Sequence, residues 1–152
     1  MRNKEVLTNG VLPKLVEVKE ITVRFSEVDS LHLVWHGHYL RYFEDGREAF
    51  GAKYGLGYLD VHQHGFVTPI VKSLCDYKSP LRYGDEVRIE TEFVDTRAAK
   101  IIFRYKIYNK QTGKLAAVGE TIQVFLDKNG ELMITVPEFF MEWKRKWGLL
   151  RH

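Results

Sequence analysis

The sequence has a single cysteine, Cys75, in 152 residues. One thiol can build neither a disulfide framework within the chain nor a zinc site of paired thiolates. Its setting, "PIVKSLCDYKSP", is strand-like and apolar, where a free cysteine packs as a small hydrophobe. Cys75 is therefore expected to be a structural thiol, and a reducing cytoplasm is the expected location. No apolar run approaches the ~18 residues that span a bilayer, so no integral membrane segment is expected. The opening "MRNKEVLTNGVLPKL" lacks the apolar core and small-residue cleavage site of a secretory signal. Charge of one sign is scarce too: 23 Lys and Arg stand against 20 Asp and Glu, a net +3. The excess is spread along the chain, whereas a nucleic-acid binder would cluster it on one face. No nucleic-acid partner is expected, and a small anionic ligand fits the mild excess. Repeats, low-complexity tracts and linkers are absent as well, so residues 1–152 are expected to form one domain.

What is present is a core-forming composition, 45% hydrophobic and 13% aromatic, arranged in clear periods. "VEVKEITVRF" (16–25) alternates apolar and polar residues with β-branched side chains, a strand pattern. From Tyr39 onward, Tyr39, Phe43, Gly46 and Phe50 recur at helical offsets. Arg41, Glu44, Asp45 and Glu48 lie mostly on the opposite side, so a helix with one apolar face is predicted. Gly46 within it costs about 1 kcal/mol against alanine, which predicts that something packs close to its backbone. "GLGYLDVHQHG" (55–65) ends the helix with glycines and reads as a loop. "FVTPIVKSLCDYK" is a strand with Pro69 at a bulge or edge. "VRIETEFVDT", "KIIFRYKIYNK" and "KLAAVGETIQVFLD" follow as strands, joined mostly by tight turns. "KNG" then turns the chain into "ELMITV", and Pro137 opens a short helix. Hairpin-connected strands make an antiparallel sheet, and one early helix must cover one of its faces. The fold class is therefore α+β, a curved antiparallel sheet wrapped around one long central helix. An edge strand free to pair with a second copy favours an oligomer.

The stretch "SEVDSLHLVWHGHYLRYFEDG" (26–46) joins the first strand to the helix. Asp29 lies just past the strand, and the helix starts near His36 to His38. The first N–H groups of a helix have no intrahelical partners, and its dipole makes that end partly positive. Such an end can hold a developing oxyanion, while a carboxylate one loop away can act as general base or nucleophile. Those are the minimum parts for acyl transfer. Read from spacing alone, Asp29 serves equally well as a turn or cap residue.

"VRFSEVDSLHLVWHGHYLRYFEDGREAFG" resembles the opening of hotdog-fold acyl-CoA thioesterases of the 4-hydroxybenzoyl-CoA thioesterase family. Arg24, Asp29, Val34, Tyr39 and "YFE" (42–44) stand at places matching that family's pattern. "PLRYGDEVRIETEF" is similar to its turn into the long strands, and the likeness runs from about Val23 to Asp127. The resemblance implies a hotdog fold, with the helix as sausage and the sheet as bun, and hydrolysis of a CoA thioester. It implies that Asp29 is the catalytic aspartate, as direct nucleophile or as base for water. It also implies that His36 supplies a backbone N–H to the thioester oxygen, with Gly37 beside it. In the branch resembling short-chain acyl-CoA thioesterases found near tol–pal genes, that position is also a histidine whose side chain is thought to assist. Trp35 and Tyr39 would be pocket aromatics. Arg97 in "VDTRAAKIIF" matches a basic position meeting the nucleotide phosphates of CoA, with Lys100 close by. Sites in the family form between two subunits, so a homodimer or homotetramer is implied, with acyl-CoA as partner and no metal or organic cofactor. His32 replaces a frequent glycine, and His38 an asparagine or small polar residue.

Rival readings remain at this level. Glu44 and Glu48 are the helix carboxylates that another hotdog branch uses, but both share the polar face with Arg41. His36, His38, His62 and His64 invite a metal, yet their spacing is no known ligand motif, and His62 and His64 read as an exposed loop. Trp143 and Trp147, with basic residues between them, either dock on the sheet or lie on a membrane or partner. An acyl carrier protein thioesterase presents the same reacting group, and a non-catalytic hotdog would bind acyl thioesters or a partner without releasing thiol.

Overall fold

The structure is a computed structural model that describes residues 12–150. Five strands, β1 (Val16–Thr22), β2 (Ile70–Tyr77), β3 (Glu86–Val94), β4 (Lys100–Asn109) and β5 (Leu115–Val124), form one sheet in the order β1-β3-β4-β5-β2. Every pairing is antiparallel. The long helix α1 (Tyr39–Tyr54) lies across one face, as the α+β hotdog arrangement requires. Period-two alternation decides which residues meet it. Val87, Ile89, Thr91 and Phe93 of β3, and Ile101, Phe103, Tyr105 and Ile107 of β4, are buried beneath the helix. Their neighbours Arg88, Glu90, Arg104 and Lys106 point to the other side and reach solvent.

Gly46 is buried on α1, and a Cβ there would overlap Thr91 Oγ1 and approach Ile89 Cγ2 to 3.0 Å. The close backbone approach expected from the sequence is thus made to β3. Gly119 does the same on β5, where a Cβ would overlap the Phe43 ring. Phe43 in turn stacks on Tyr105 with centroids 4.3 Å apart. These contacts fix the depth and direction of the helix: its N-terminal end lies by Tyr77, with the Tyr39 and Tyr77 rings 5.0 Å apart. Its C-terminal end lies by Phe103, whose ring is 5.0 Å from that of Phe50.

Two segments depart from the sequence reading. Within 55–65 the chain forms a short helix, α2 (Tyr58–Gln63), rather than a loop throughout. Asp60 Oδ2 accepts the Gly57 N–H at 2.7 Å, and Val61 buries its side chain, which offsets the glycines. "ELMITV" forms no strand and makes only a single bridge, Leu126 to Leu132. Pro137 does open a helix, α3 (Glu138–Lys146). Trp143 and Trp147 dock inward, and both indole N–H groups donate to the Tyr54 carbonyl, at 2.7 and 3.0 Å. No helix is long and apolar enough to cross a membrane among the described residues.

Lys144 of α3 is 2% exposed, and its ammonium bonds Asp95 Oδ1 at 2.8 Å and the Thr96 carbonyl at 2.7 Å. This ties the C-terminal helix to the β3–β4 connection that carries Arg97. Lys144→Met keeps the aliphatic packing but leaves two acceptors without their donor. Because the Asp95 side chain is 30% exposed and can rehydrate, the expected loss is about 1–3 kcal/mol, read by urea unfolding. A loss within about 0.5 kcal/mol, the range of neutral surface changes, would show that the pair does not anchor α3.

Candidate active site

The junction after β1 is built by local hydrogen bonds. A 3-10 turn at Phe25–Glu27 follows the strand. Glu27 then works in three directions: its carbonyl accepts Trp35 N–H at 2.9 Å, and Oε1 accepts both Arg24 N–H (3.0 Å) and Tyr42 OH (2.9 Å). Its other oxygen lies 3.7 Å from His38 Nε2. Burial, with the Glu27 carboxylate beside it, pushes the Tyr42 phenol well above its ordinary range, so it stays a hydrogen-bond donor.

Between Val28 and Val34, which form a bridge, the chain makes a tight loop. Asp29 N–H donates to the Leu33 carbonyl at 2.8 Å, and Asp29 Oδ1 accepts the N–H groups of Leu31 (2.9 Å) and Leu33 (3.3 Å). The turn role that spacing left open for Asp29 is therefore present. It engages one carboxylate oxygen, and the residue is half-buried. His32, where resembling proteins often carry glycine, has φ of 67°. That left-handed conformation costs a non-glycine residue energy and favours glycine; here His32 N–H bonds the Asp29 carbonyl at 2.9 Å.

The loop delivers the chain to a 3-10 turn at His36–His38 that runs directly into α1. His38 N–H makes the first bond of this continuous helix, to the Trp35 carbonyl at 2.8 Å. The N–H groups of His36 and Gly37 precede it, and neither donates to a backbone carbonyl among the described residues. A Cβ at Gly37 would overlap the Trp35 indole, which lies against it. Tyr77 OH, from β2, donates to the His36 carbonyl at 2.8 Å and fixes the peptide whose far side carries the Gly37 N–H. A carboxylate and a pair of unpaired helix N–H groups therefore flank one short loop, the layout that can polarise a carbonyl and direct a nucleophile onto it.

The other expected residues fall in different places. Tyr39 is 3% exposed, packed between Tyr42 and Tyr77, with its phenol pushed up to about 12 by burial. It supports the helix start from beneath, while Trp35, 50% exposed, is the aromatic that faces outward. Glu44, Glu48 and Arg41 are exposed on the polar face, as the helical period predicts. Cys75 is half-buried, and burial raises its thiol above the ordinary range, which disfavours the thiolate. His62 and His64 are exposed, and His64 stacks on Phe139. Among the described residues no three His, Cys, Asp or Glu side chains come together in a way that could hold a metal.

Arg97 and Lys100 are exposed in the β3–β4 connection and at the start of β4. Lys100 sits opposite Val124, whereas Tyr77 sits opposite Ala117. The span of β5 between those residues is roughly 23 Å at about 3.3 Å per residue. The chain thus holds Asp29 and His36 at one end of its sheet and Arg97 and Lys100 at the other. Glu27 and Tyr77 carry no motif in the sequence; Tyr77 reaches His36 across 41 residues.

Comparison with known proteins agrees with this architecture. A Bacillus subtilis protein named "Putative acyl-CoA thioesterase YneP" is 33% identical over 128 residues, 84% of this chain and 92% of that one. The Helicobacter pylori acyl-CoA thioesterase YbgC is 26% identical over 79% of this chain and 93% of its own. The crystal structure of a DHNA-CoA thioesterase from Staphylococcus aureus superposes with a TM-score of 0.77 at 24% identity, covering 86% of this chain and 87% of that one, and shows the same fold. Residues 23–144 match the thioesterase-like superfamily, and the chain belongs to it.

Proposed function

We propose that the protein is an acyl-CoA thioesterase of the cytoplasm that hydrolyses a CoA thioester to free acid and CoA. The observation that carries the reading is Asp29, held half-buried by its own loop a few residues before the unpaired N–H groups of His36 and Gly37. The thioester oxygen binds those N–H groups. Water adds to the carbonyl carbon as Asp29 takes its proton, the oxyanion collapses, and the C–S bond breaks to release the thiolate of CoA, which is then protonated. Direct attack by Asp29 leads to the same products through a mixed anhydride that water cleaves.

The working unit is a homodimer, alone or within a homotetramer. Among the described residues β2 is an edge strand with a free side, and it exposes Val71, Leu74 and Tyr77. Such an edge is a template for another strand. Antiparallel pairing of two β2 strands about a two-fold axis sets the Ile70 end of one copy beside the Tyr77 end of the other. That brings Arg97 and Lys100 of the partner subunit toward the helix N-terminus of this one, where they serve the phosphates of a bound CoA.

Thiol release from a panel of short-chain, long-chain and aromatic acyl-CoAs, with acyl carrier protein thioesters alongside, tests the activity; sedimentation tests the assembly. Turnover of at least one CoA thioester by a dimer or tetramer is expected. Turnover confined to the carrier-protein thioesters would change the substrate, and tight binding without thiol release would make the chain a binding protein. Full activity in a monomer would remove the shared site.

A further inference from the structure

The helix lies mainly over β1 and β3, its side chains cover β4 and β5, and it meets β2 only near Tyr77. On the covered strands the concave residues Ile89, Phe103, Ala117 and Thr121 are at most 4% exposed. On β2 the corresponding Ser73 and Tyr77 are exposed and Cys75 is half-buried. A strip of less covered side chains therefore runs along the concave face beside α1 from Tyr77, at the helix N-terminus, toward Ser73.

Arg47 stands on the flank of α1 that faces this side. The opposite flank faces β1, where Lys53 reaches Glu17 at 3.5 Å. Arg47 Nη1 instead donates to Tyr105 OH at 3.1 Å, and Tyr105 OH shares a 2.6 Å hydrogen bond with Thr121 Oγ1. Thr121 is the residue opposite Ser73. The guanidinium is thus half-buried and held by a neutral phenol, with no carboxylate partner among the described residues. Glu44 and Glu48, its neighbours on the helix, are exposed and make no ion pair with it. Of five N–H donors on an arginine, one is used. Its other N–H groups reach water, since no Arg47 nitrogen is both buried and unpaired among the described residues, and they are free to grip an anion.

Resting on the thioesterase reading, we infer that Arg47 selects acyl groups that end in a carboxylate, which it binds at the far end of this strip from the reacting thioester. From the Ala117–Tyr77 level to the Gly119–Thr121 level the strand rises roughly 7–13 Å at about 3.3 Å per residue. That span suits the mono-CoA thioester of a dicarboxylic acid of about six carbons when both ends are hydrogen-bonded. The planar guanidinium offers the bidentate grip that a carboxylate takes best.

The test compares kcat/KM for adipoyl-CoA, the mono-thioester, with that for hexanoyl-CoA, which has the same chain length and no terminal charge. The unaltered protein is expected to prefer adipoyl-CoA at least tenfold. Arg47→Met is expected to cut that ratio at least tenfold, through KM, and Arg47→Lys to retain part of it. Two variants guard against misfolding of one, and far-ultraviolet circular dichroism checks both. A ratio near one in the unaltered protein, or a ratio that neither variant changes, overturns the inference while leaving thioester hydrolysis standing. A shift of Arg47→Met from dimer to monomer with the ratio intact would assign the cation to the subunit contact and likewise overturn it. No thiol release from any acyl-CoA by the unaltered protein removes the thioesterase reading itself, and this inference with it.

Discussion

Asp29→Asn is expected to lower kcat/KM for acyl-CoA hydrolysis by about 100-fold or more, the usual worth of a positioned acid–base group, with fold and oligomeric size intact. The substitution is informative because Asp29 does two things. Its Oδ1 accepts the Leu31 and Leu33 N–H groups and shapes the loop, and in the proposed mechanism its negative charge draws the proton from water or attacks the carbonyl. Asparagine keeps the acceptor oxygen and loses the charge. Asp29→Ala loses both, so it is expected to cost stability as well, about 1–2 kcal/mol for two unmet backbone donors. The strained left-handed His32 inside the same loop adds to that sensitivity. If Asp29→Asn turned over as fast as the unaltered protein, Asp29 would be a loop residue only, and Glu44 and Glu48 would become the carboxylates to test. If asparagine and alanine destabilised equally, the charge rather than the acceptor would be holding the loop.

Legibility followed how far apart the interacting residues are in sequence. The strands, the central helix and their order were readable because period two and period 3.6 are local patterns, and because tight turns imply antiparallel neighbours. Gly46 was readable as a point of close approach, since a glycine inside an amphipathic helix needs a reason; that Thr91 is the reason was not. The junction carrying Asp29 and His36 was also visible, because the loop and the helix start are consecutive in the chain. Tyr77 and Arg47 were not, since their partners, the His36 carbonyl and Tyr105 OH, lie 41 and 58 residues away in the sequence. Arg97 and Lys100 show the opposite limit. They fall at the end of the sheet away from Asp29, a separation set by which end of β4 meets β5 and one no local pattern reveals. The helix at Tyr58–Gln63 escaped because two glycines outweighed a capping carboxylate, Asp60, whose hydrogen bond to Gly57 only the folded chain displays.

Gly46→Ala is expected to destabilise the protein, and Thr91→Ala to cancel much of that loss. Alanine in mid-helix gains up to about 1 kcal/mol over glycine. Here its methyl would overlap Thr91 Oγ1 and press on Ile89, and overpacking of this kind costs about 1–3 kcal/mol. The clash prevails, and Gly46→Leu is expected to lose about 3 kcal/mol or more. Thr91 is fully buried, and its Oγ1 has no hydrogen-bond partner among the described residues. Removing that hydroxyl forfeits no bond, so Thr91→Ala alone costs little beyond one methyl group, about 1 kcal/mol. In the double variant the new methyl sits 3.5 Å from the Thr91 Cβ, an ordinary contact, and only the 3.0 Å approach to Ile89 Cγ2 remains to be relieved. Urea unfolding of the four proteins should show the double variant more stable than the sum of the single losses by about 1–2 kcal/mol, well beyond the ~0.5 kcal/mol within which independent sites add. Additivity would mean that the helix rides on β3 by other contacts and that the unmet hydroxyl has a separate cause. The same cycle reaches the chemistry, because the depth of α1 on the sheet sets where the His36 and Gly37 N–H groups stand. A helix lifted by the Gly46→Ala methyl carries those donors away from the loop that holds Asp29. Turnover should therefore fall in the single variant even in buffer where it is fully folded, and recover in the double.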